Sequence, residues 1–128
     1  MKLLLDTCSF LWLANGERAF SREVAQVIMA ADTELALSAV SAWELAIKHT
    51  RGRLPLPEPL ARFVPRVRDR YWIAFLPLDE ESALHIVTLP ALHADPFDRM
   101  LVSQAIVHGM TILTPDPLIT QYPARTLW

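Results

Sequence analysis

The chain has 128 residues, 52% of them hydrophobic and 20% charged, a balance that excludes a disordered chain and can bury a full core without a disulfide or structural metal. Its formal net charge of −2 does not announce a polyanion binder, but Lys48 to Arg70 holds seven basic residues against two acids, and the remainder holds five against twelve. Its three glycines, Gly16, Gly52 and Gly109, lie too far apart for a Walker A loop or a GxGxxG turn.

Leu3-Leu4-Leu5, stopped by Asp6, reads as a short buried parallel strand. The run is too short for a secretion signal, and no apolar stretch approaches the ~18 residues of a membrane span. With Cys8 as the only cysteine, no internal disulfide forms and a reducing cytoplasm is expected. Thr7 or Ser9 would cap a helix through Phe10 to Leu13, which Asn15-Gly16 stops. Ser21 caps a second helix over Glu23 to Ala31, and Glu34 to Ser38 forms a second strand. From Ser38 or Ser41 to Gly52 the pattern is helical, with Glu44 on the same stripe as Val40 and Ile47.

Pro55, Pro57 and Pro59 mark an exposed connection. An arginine-rich helix follows over Leu60 to Arg70, in which Pro65 must introduce a kink or fall near an end. Tyr71 to Leu76 reads as a third strand, and Asp79 caps a helix over Glu80 to Leu89. Asp95-Pro96 opens a further helix with the apolar stripe Leu101, Val102, Ala105 and Ile106, and Gly109 closes it. Met110 to Leu113 is a fourth strand, ending in Thr114-Pro115-Asp116-Pro117, and Arg125 to Trp128 adds a short edge strand. Strands alternating with helices predict an α/β fold, a central parallel sheet of four to five strands flanked by helices.

In such sheets the ligand site lies at the carboxyl ends of the strands. Asp6 and Asp116 follow the first and fourth strands, and Glu44 sits about a turn into the helix after the second. Asp98 lies in register with the buried stripe of its helix, where an unpaired carboxylate is costly. Each acid alone has an ordinary structural reading, as a helix cap or a partner of a neighbouring arginine. Together, Asp6, Glu44, Asp98 and Asp116, with Asp95 as an accessory, are expected to share one pocket. Their mutual repulsion predicts that neutralising Glu44 or Asp98 stabilises the metal-free chain. Oxygen-only donors favour Mg²⁺ or Mn²⁺, and metal-assisted phosphodiester hydrolysis is the reaction class that uses such a pocket.

Four segments in this order carry a family resemblance: Leu4-Leu5-Asp6-Thr7; Ser41-Ala42-Trp43-Glu44-Leu45-Ala46-Ile47-Lys48 with Gly52-Arg53-Leu54; His93-Ala94-Asp95-Pro96-Phe97-Asp98-Arg99-Met100-Leu101; and Leu113-Thr114-Pro115-Asp116. The chain resembles PIN-domain proteins, specifically VapC-like toxins of type II toxin–antitoxin pairs. The resemblance implies a Rossmann-like sheet and a Mg²⁺- or Mn²⁺-dependent ribonuclease. It implies Asp6, Glu44 and Asp98 as the acid triad, with Asp116 as a fourth and more variable acid. It further implies a homodimer and a small VapB-like antitoxin whose tail enters the acidic groove. Cys8 departs from the histidine such sequences often carry there, which leaves position 8 without an expected role.

Thr114 is a candidate for holding a water or a phosphate oxygen, and Arg99 for pairing with an acid or touching phosphate. Lys48, Arg51 and Arg53 are candidate RNA-phosphate contacts. Trp12, Trp43 and Trp72 are assigned to the core or an interface, and none of the four histidines is assigned to metal or catalysis. Two other classes compete. A receiver-like signalling domain with a Mg²⁺ pocket would need a lysine after a late strand, and the only lysines are Lys2 and Lys48. A non-catalytic PIN-like interaction module would have no need of four intact acids.

Overall fold

The computed structural model describes residues 1–16 and 20–128. Five strands form one parallel sheet: β1 (Lys2–Leu5), β2 (Glu34–Ser38), β3 (Ile73–Leu76), β4 (Thr111–Leu113) and β5 (Thr126–Leu127), in the order β3-β2-β1-β4-β5. The helices are α1 (Thr7–Ala14), α2 (Arg22–Met29), α3 (Ala39–Thr50), α4 (Leu60–Tyr71), α5 (Glu80–His85), α6 (Pro96–His108) and α7 (Pro117–Thr120). This is the α/β architecture expected from the alternation of strands and helices.

The period-two geometry of β1 divides the core. Leu3 and Leu5 face a cluster with Phe10 of α1, Val24 and Ile28 of α2, and Phe63, Val64 and Val67 of α4. Leu4 faces the other way, onto Leu101, Val102 and Ala105 of α6 and Ile119 of α7. The predicted stripe on α6 is therefore the one that packs. Helix α3 serves both layers, with Leu45 in the first cluster and Val40 in the second. Register sets the site edge: Leu5 pairs with Leu37 and with Leu113, so Asp6, Ser38 and Thr114 stand side by side at the carboxyl ends of three strands.

Several boundaries differ from the sequence reading. The cap of α1 is Asp6, not Thr7 or Ser9, because its carboxylate accepts the Ser9 N–H at 2.7 Å. Tyr71 is the last residue of α4 rather than the first of β3, and Pro65 lies inside that helix. The segment after Asp79 runs as α5 only to His85 and tightens into a 3₁₀ turn over Ile86–Thr88. Asp116-Pro117 starts a short helix, α7, which the sequence reading does not include; the carboxylate caps it through the Leu118 N–H at 2.9 Å.

Helix α4 ends on Trp72 in the left-handed region, with φ 56°, a place where glycine is usual. Trp72 is 91% exposed and Trp43 is 59% exposed, so of the two places expected for them, core or interface, the core is excluded. Trp12 instead packs within an aromatic group with Phe20 and Trp128. Because the exposed indole returns little packing for the strained backbone, Trp72→Gly is expected to raise stability by about 1 kcal/mol. Urea denaturation checks this, and a midpoint at or below that of the parent chain contradicts it.

Candidate active site

Asp6 is 4% exposed at the end of β1, with one carboxylate oxygen committed to capping α1. Burial is the main reason its carboxyl is pushed above the ordinary range; hydrogen bonds from Thr114 and Ser9 oppose this, and the charge of Asp116 adds to it. Thr114 is fully buried, and its hydroxyl accepts the Asp116 N–H at 3.0 Å. It joins the two acids; with no exposed surface it is not placed to hold a phosphate oxygen, one of the two groups it is a candidate for.

Glu44 reaches the same edge from α3. The Thr7 hydroxyl donates to one of its oxygens at 2.6 Å, and Lys48 Nζ lies 3.0 Å from the other. The Lys48 charge neutralises it locally, so the expectation that Glu44→Gln relieves repulsion does not carry over to the structure. Among the described residues, no lysine or arginine pairs with Asp98 in this way. Burial and then the charges of Asp95, Asp116 and Glu44 push its carboxyl up to about 6, against a hydrogen bond from His93. Asp95 caps α6, accepting the Phe97 and Asp98 N–H groups at 2.9 and 3.3 Å.

The charge of Asp116 thus reaches both Asp6 and Asp98, and those of Asp95 and Glu44 reach Asp98. Cys8 borders them: its exposed thiol is pushed up by partial burial and by Asp6, Glu44 and Asp116, against Lys48, so it is a poor nucleophile. Among the described residues, however, no three acid, imidazole or thiol groups are gathered closely enough to hold a metal ion as they stand. The cap and ion-pair bonds give a reason. Asp6, Asp95 and Asp116 each commit one oxygen to a helix N-terminus, and both oxygens of Glu44 are engaged.

The basic segment splits. Arg66 pairs with Glu58, and Arg68 and Arg70 lie over Phe75 and Tyr71, all on or beside α4. Lys48, Arg51 and Arg53 instead line a cleft of about 460 Å³ that they share with Glu44, Asp95 and Phe97. A hollow of equal volume, about 460 Å³, opens near the start of β2 beside Trp72, and no carboxylate lines it. Arg99 pairs with no acid among the described residues: it donates to the Pro90 carbonyl at 2.8 Å and to the Tyr122 hydroxyl at 3.0 Å.

One participant is not legible in the sequence. His93 carries no assignment there, yet its Nε2 lies 3.2 Å from Asp98 Oδ2 and its Nδ1 lies 2.7 Å from the Tyr122 hydroxyl. The available signal is its place five residues ahead of Asp98 with Pro96 between them, which lets the pre-helical chain fold back on the first turn.

Residues 3–124 match the family model described as PIN domain. The chain belongs to the PIN-domain family. Among curated proteins it is 30% identical over 115 residues to Ribonuclease VapC22 of Mycobacterium tuberculosis, covering 89% of this chain and 86% of that one. Its fold matches VapBC2 from Rickettsia felis bound to a DNA fragment from their promoter, with TM-score 0.75 and 16% identity over 99% of this chain and 98% of that one. VapBC-1 from nontypeable Haemophilus influenzae matches with TM-score 0.64 and 17% identity, over 99% and 97%. Asp6, Glu44, Asp98 and Asp116 come from four different elements or their ends. No helix among the described residues is long and apolar enough to cross a membrane.

The donor chemistry of this edge fits a hard divalent cation. The groups are all carboxylates, and two of them, Asp6 and Asp98, are held above their ordinary range by burial and like charge. A cation would relieve that strain, and oxygen donors favour Mg²⁺ or Mn²⁺ over zinc.

Proposed function

We propose that the chain is a Mg²⁺- or Mn²⁺-dependent endoribonuclease, the toxin of a type II toxin–antitoxin pair. The observation that carries this reading is the convergence of mutually repelling carboxylates at the carboxyl edge of a PIN sheet. The similarity to Ribonuclease VapC22 supports RNA as the substrate. The similarity to VapBC2 supports a VapB-like antitoxin as partner, with the homodimer implied by the family resemblance as part of the same proposal.

In this reading Asp6 and Asp98 hold the ion directly or through water. Glu44 and Asp116 complete the donor set or orient the attacking water. When bound, the ion supplies Lewis acidity at the phosphate and lowers the pKa of a water. Thr114 and Ser9 fix Asp6, while Thr7 and Lys48 fix Glu44. Asp95 acts as a cap, so its contribution is to the position of Asp98. Lys48, Arg51 and Arg53 meet the RNA backbone along their cleft, contacts that add affinity without base preference. Arg99, bonded inward, takes no part in phosphate binding.

Cleavage of a single-stranded RNA by the purified chain, followed on a denaturing gel, tests the proposal. Cleavage is expected with Mg²⁺ or Mn²⁺, to stop with EDTA and to resume when the ion is restored. Cleavage that persists at full rate in EDTA overturns the metal-dependent reading.

A further inference from the structure

Beside Asp98, a chain of polar side chains runs through the layer under α6. Arg99 Nη1 donates to the Pro90 carbonyl at 2.8 Å and to the Tyr122 hydroxyl at 3.0 Å, and the guanidinium carbon lies 5.8 Å from the Tyr122 ring centroid. Tyr122, only 3% exposed, places its hydroxyl 2.7 Å from His93 Nδ1. The His93 side chain is 11% exposed, and its Nε2 lies 3.2 Å from Asp98 Oδ2.

The direction of these bonds follows for an ionised Asp98 and a neutral His93. A guanidinium has no acceptor, so the Tyr122 oxygen accepts from Arg99. An ionised carboxylate has no donor, so His93 Nε2 must carry the hydrogen that reaches Asp98. A neutral imidazole has one N–H, and its Nδ1 then accepts the phenolic hydrogen of Tyr122. All three hydrogens point toward Asp98. Asp98 and Arg99 are adjacent on α6 and leave it in different directions, so the chain goes out through Tyr122, after α7, and returns through His93, before α6.

We propose that His93 is a positioning residue for Asp98, held in one tautomer by Tyr122 and Arg99. This rests on the reading of Asp98 as a cation ligand. The chain holds Oδ2 and leaves Oδ1 with no partner among the described residues, so the carboxylate keeps one orientation toward the other acids. Without the tether the side chain rotates in a site where burial and like charges favour turning away. Outer partners of metal ligands are commonly worth about 10–100-fold in metal affinity or activity.

The test measures Mn²⁺ affinity of the full chain by electron paramagnetic resonance, with kcat and KM for RNA cleavage alongside. His93→Leu is expected to weaken Mn²⁺ binding by about 10–100-fold and to lower kcat with KM for RNA unchanged. His93→Gln keeps an N–H near the place of Nε2 and is expected to recover most of the loss. Tyr122→Phe removes only the hydroxyl and is expected to fall between wild type and His93→Leu. If His93→Leu fails to fold, Tyr122→Phe decides, and wild-type Mn²⁺ affinity there overturns the proposal. Equal losses in His93→Leu and His93→Gln overturn it too, because they point to packing alone. Asp98→Asn separates the two readings. If it loses Mn²⁺ affinity while His93→Leu keeps it, the positioning role fails and the cation site stands. If neither substitution changes Mn²⁺ affinity, the cation site itself fails and takes the positioning role with it.

Discussion

Asp6→Asn and Asp98→Asn, made separately, are each expected to lower RNA cleavage by about 10³-fold at saturating Mg²⁺, the scale of losing one charge-stabilising group from a preorganised site. Both substitutions are isosteric; each removes the charge and replaces one accepting oxygen with an NH2 group. Asparagine caps a helix as well as aspartate does, so Asp6→Asn keeps the bond to the Ser9 N–H that starts α1. In Asp98→Asn the new amide oxygen can still accept from His93. Neither site needs its charge for folding, since burial already holds both carboxyls above their ordinary range. A loss of rate without a loss of helix content therefore reports on chemistry. Asp95→Asn is the matched comparison: it also preserves its cap and is expected to stay within a few-fold of wild type. Single-turnover cleavage rates measure all three. Wild-type rates in both Asp6→Asn and Asp98→Asn would remove the acids from the reaction.

Much of this arrangement is legible because local chemistry and global position coincide. Leu3-Leu4-Leu5 alternates between the two core clusters, as a strand covered on both faces must. Three of the five acids considered for the site, Asp6, Asp95 and Asp116, are helix caps in the structure. In sequence, capping and chemistry read as alternatives, yet a carboxylate has two oxygens, and the cap uses one while fixing the direction of the other. What stays hidden depends on partners distant in sequence. Nothing near Glu44 announces that Thr7 will donate to it, and nothing near Arg99 announces Tyr122 or the Pro90 carbonyl. Tyr71-Trp72 has strand propensity, but Phe63, Val64 and Val67 bury one face of α4 and carry the helix through Tyr71, leaving Trp72 as an exposed left-handed stop. The basic run from Lys48 to Arg70 is continuous in sequence only. Folding assigns its first part to the acidic cleft and its second to pairings on and beside α4.

Asp98 also makes the stability of the metal-free chain fall as pH rises through the weakly acidic range. Its folded carboxyl titrates at about 6, above the unfolded value of about 3.9. Between these values the native state holds the proton more firmly than the unfolded chain, so folding is favoured at the acid end and weakened as the proton leaves. A shift of this size corresponds to at most about 3 kcal/mol, and solvent screening at the partly exposed carboxylate reduces it to about 2 kcal/mol, lost between about pH 4 and 6 and constant above. Other carboxylates titrate in the same window, so the informative quantity is the difference between Asp98→Asn and wild type. Asp98→Asn is expected to gain on wild type as pH rises from 4 to 6 and to hold a lead of about 2 kcal/mol at pH 7. Mg²⁺ at about 100 times its dissociation constant stabilises a one-site protein by about 2.7 kcal/mol, enough to close that gap for wild type and not for the variant. Glu44→Gln should behave in the opposite way, gaining nothing, because Lys48 already sits 3.0 Å from its carboxylate. Urea unfolding at several pH values, with and without Mg²⁺, measures each of these differences. A gap between Asp98→Asn and wild type that does not change with pH would mean that the Asp98 charge is solvated, and that the acids do not form the crowded edge on which cation binding depends.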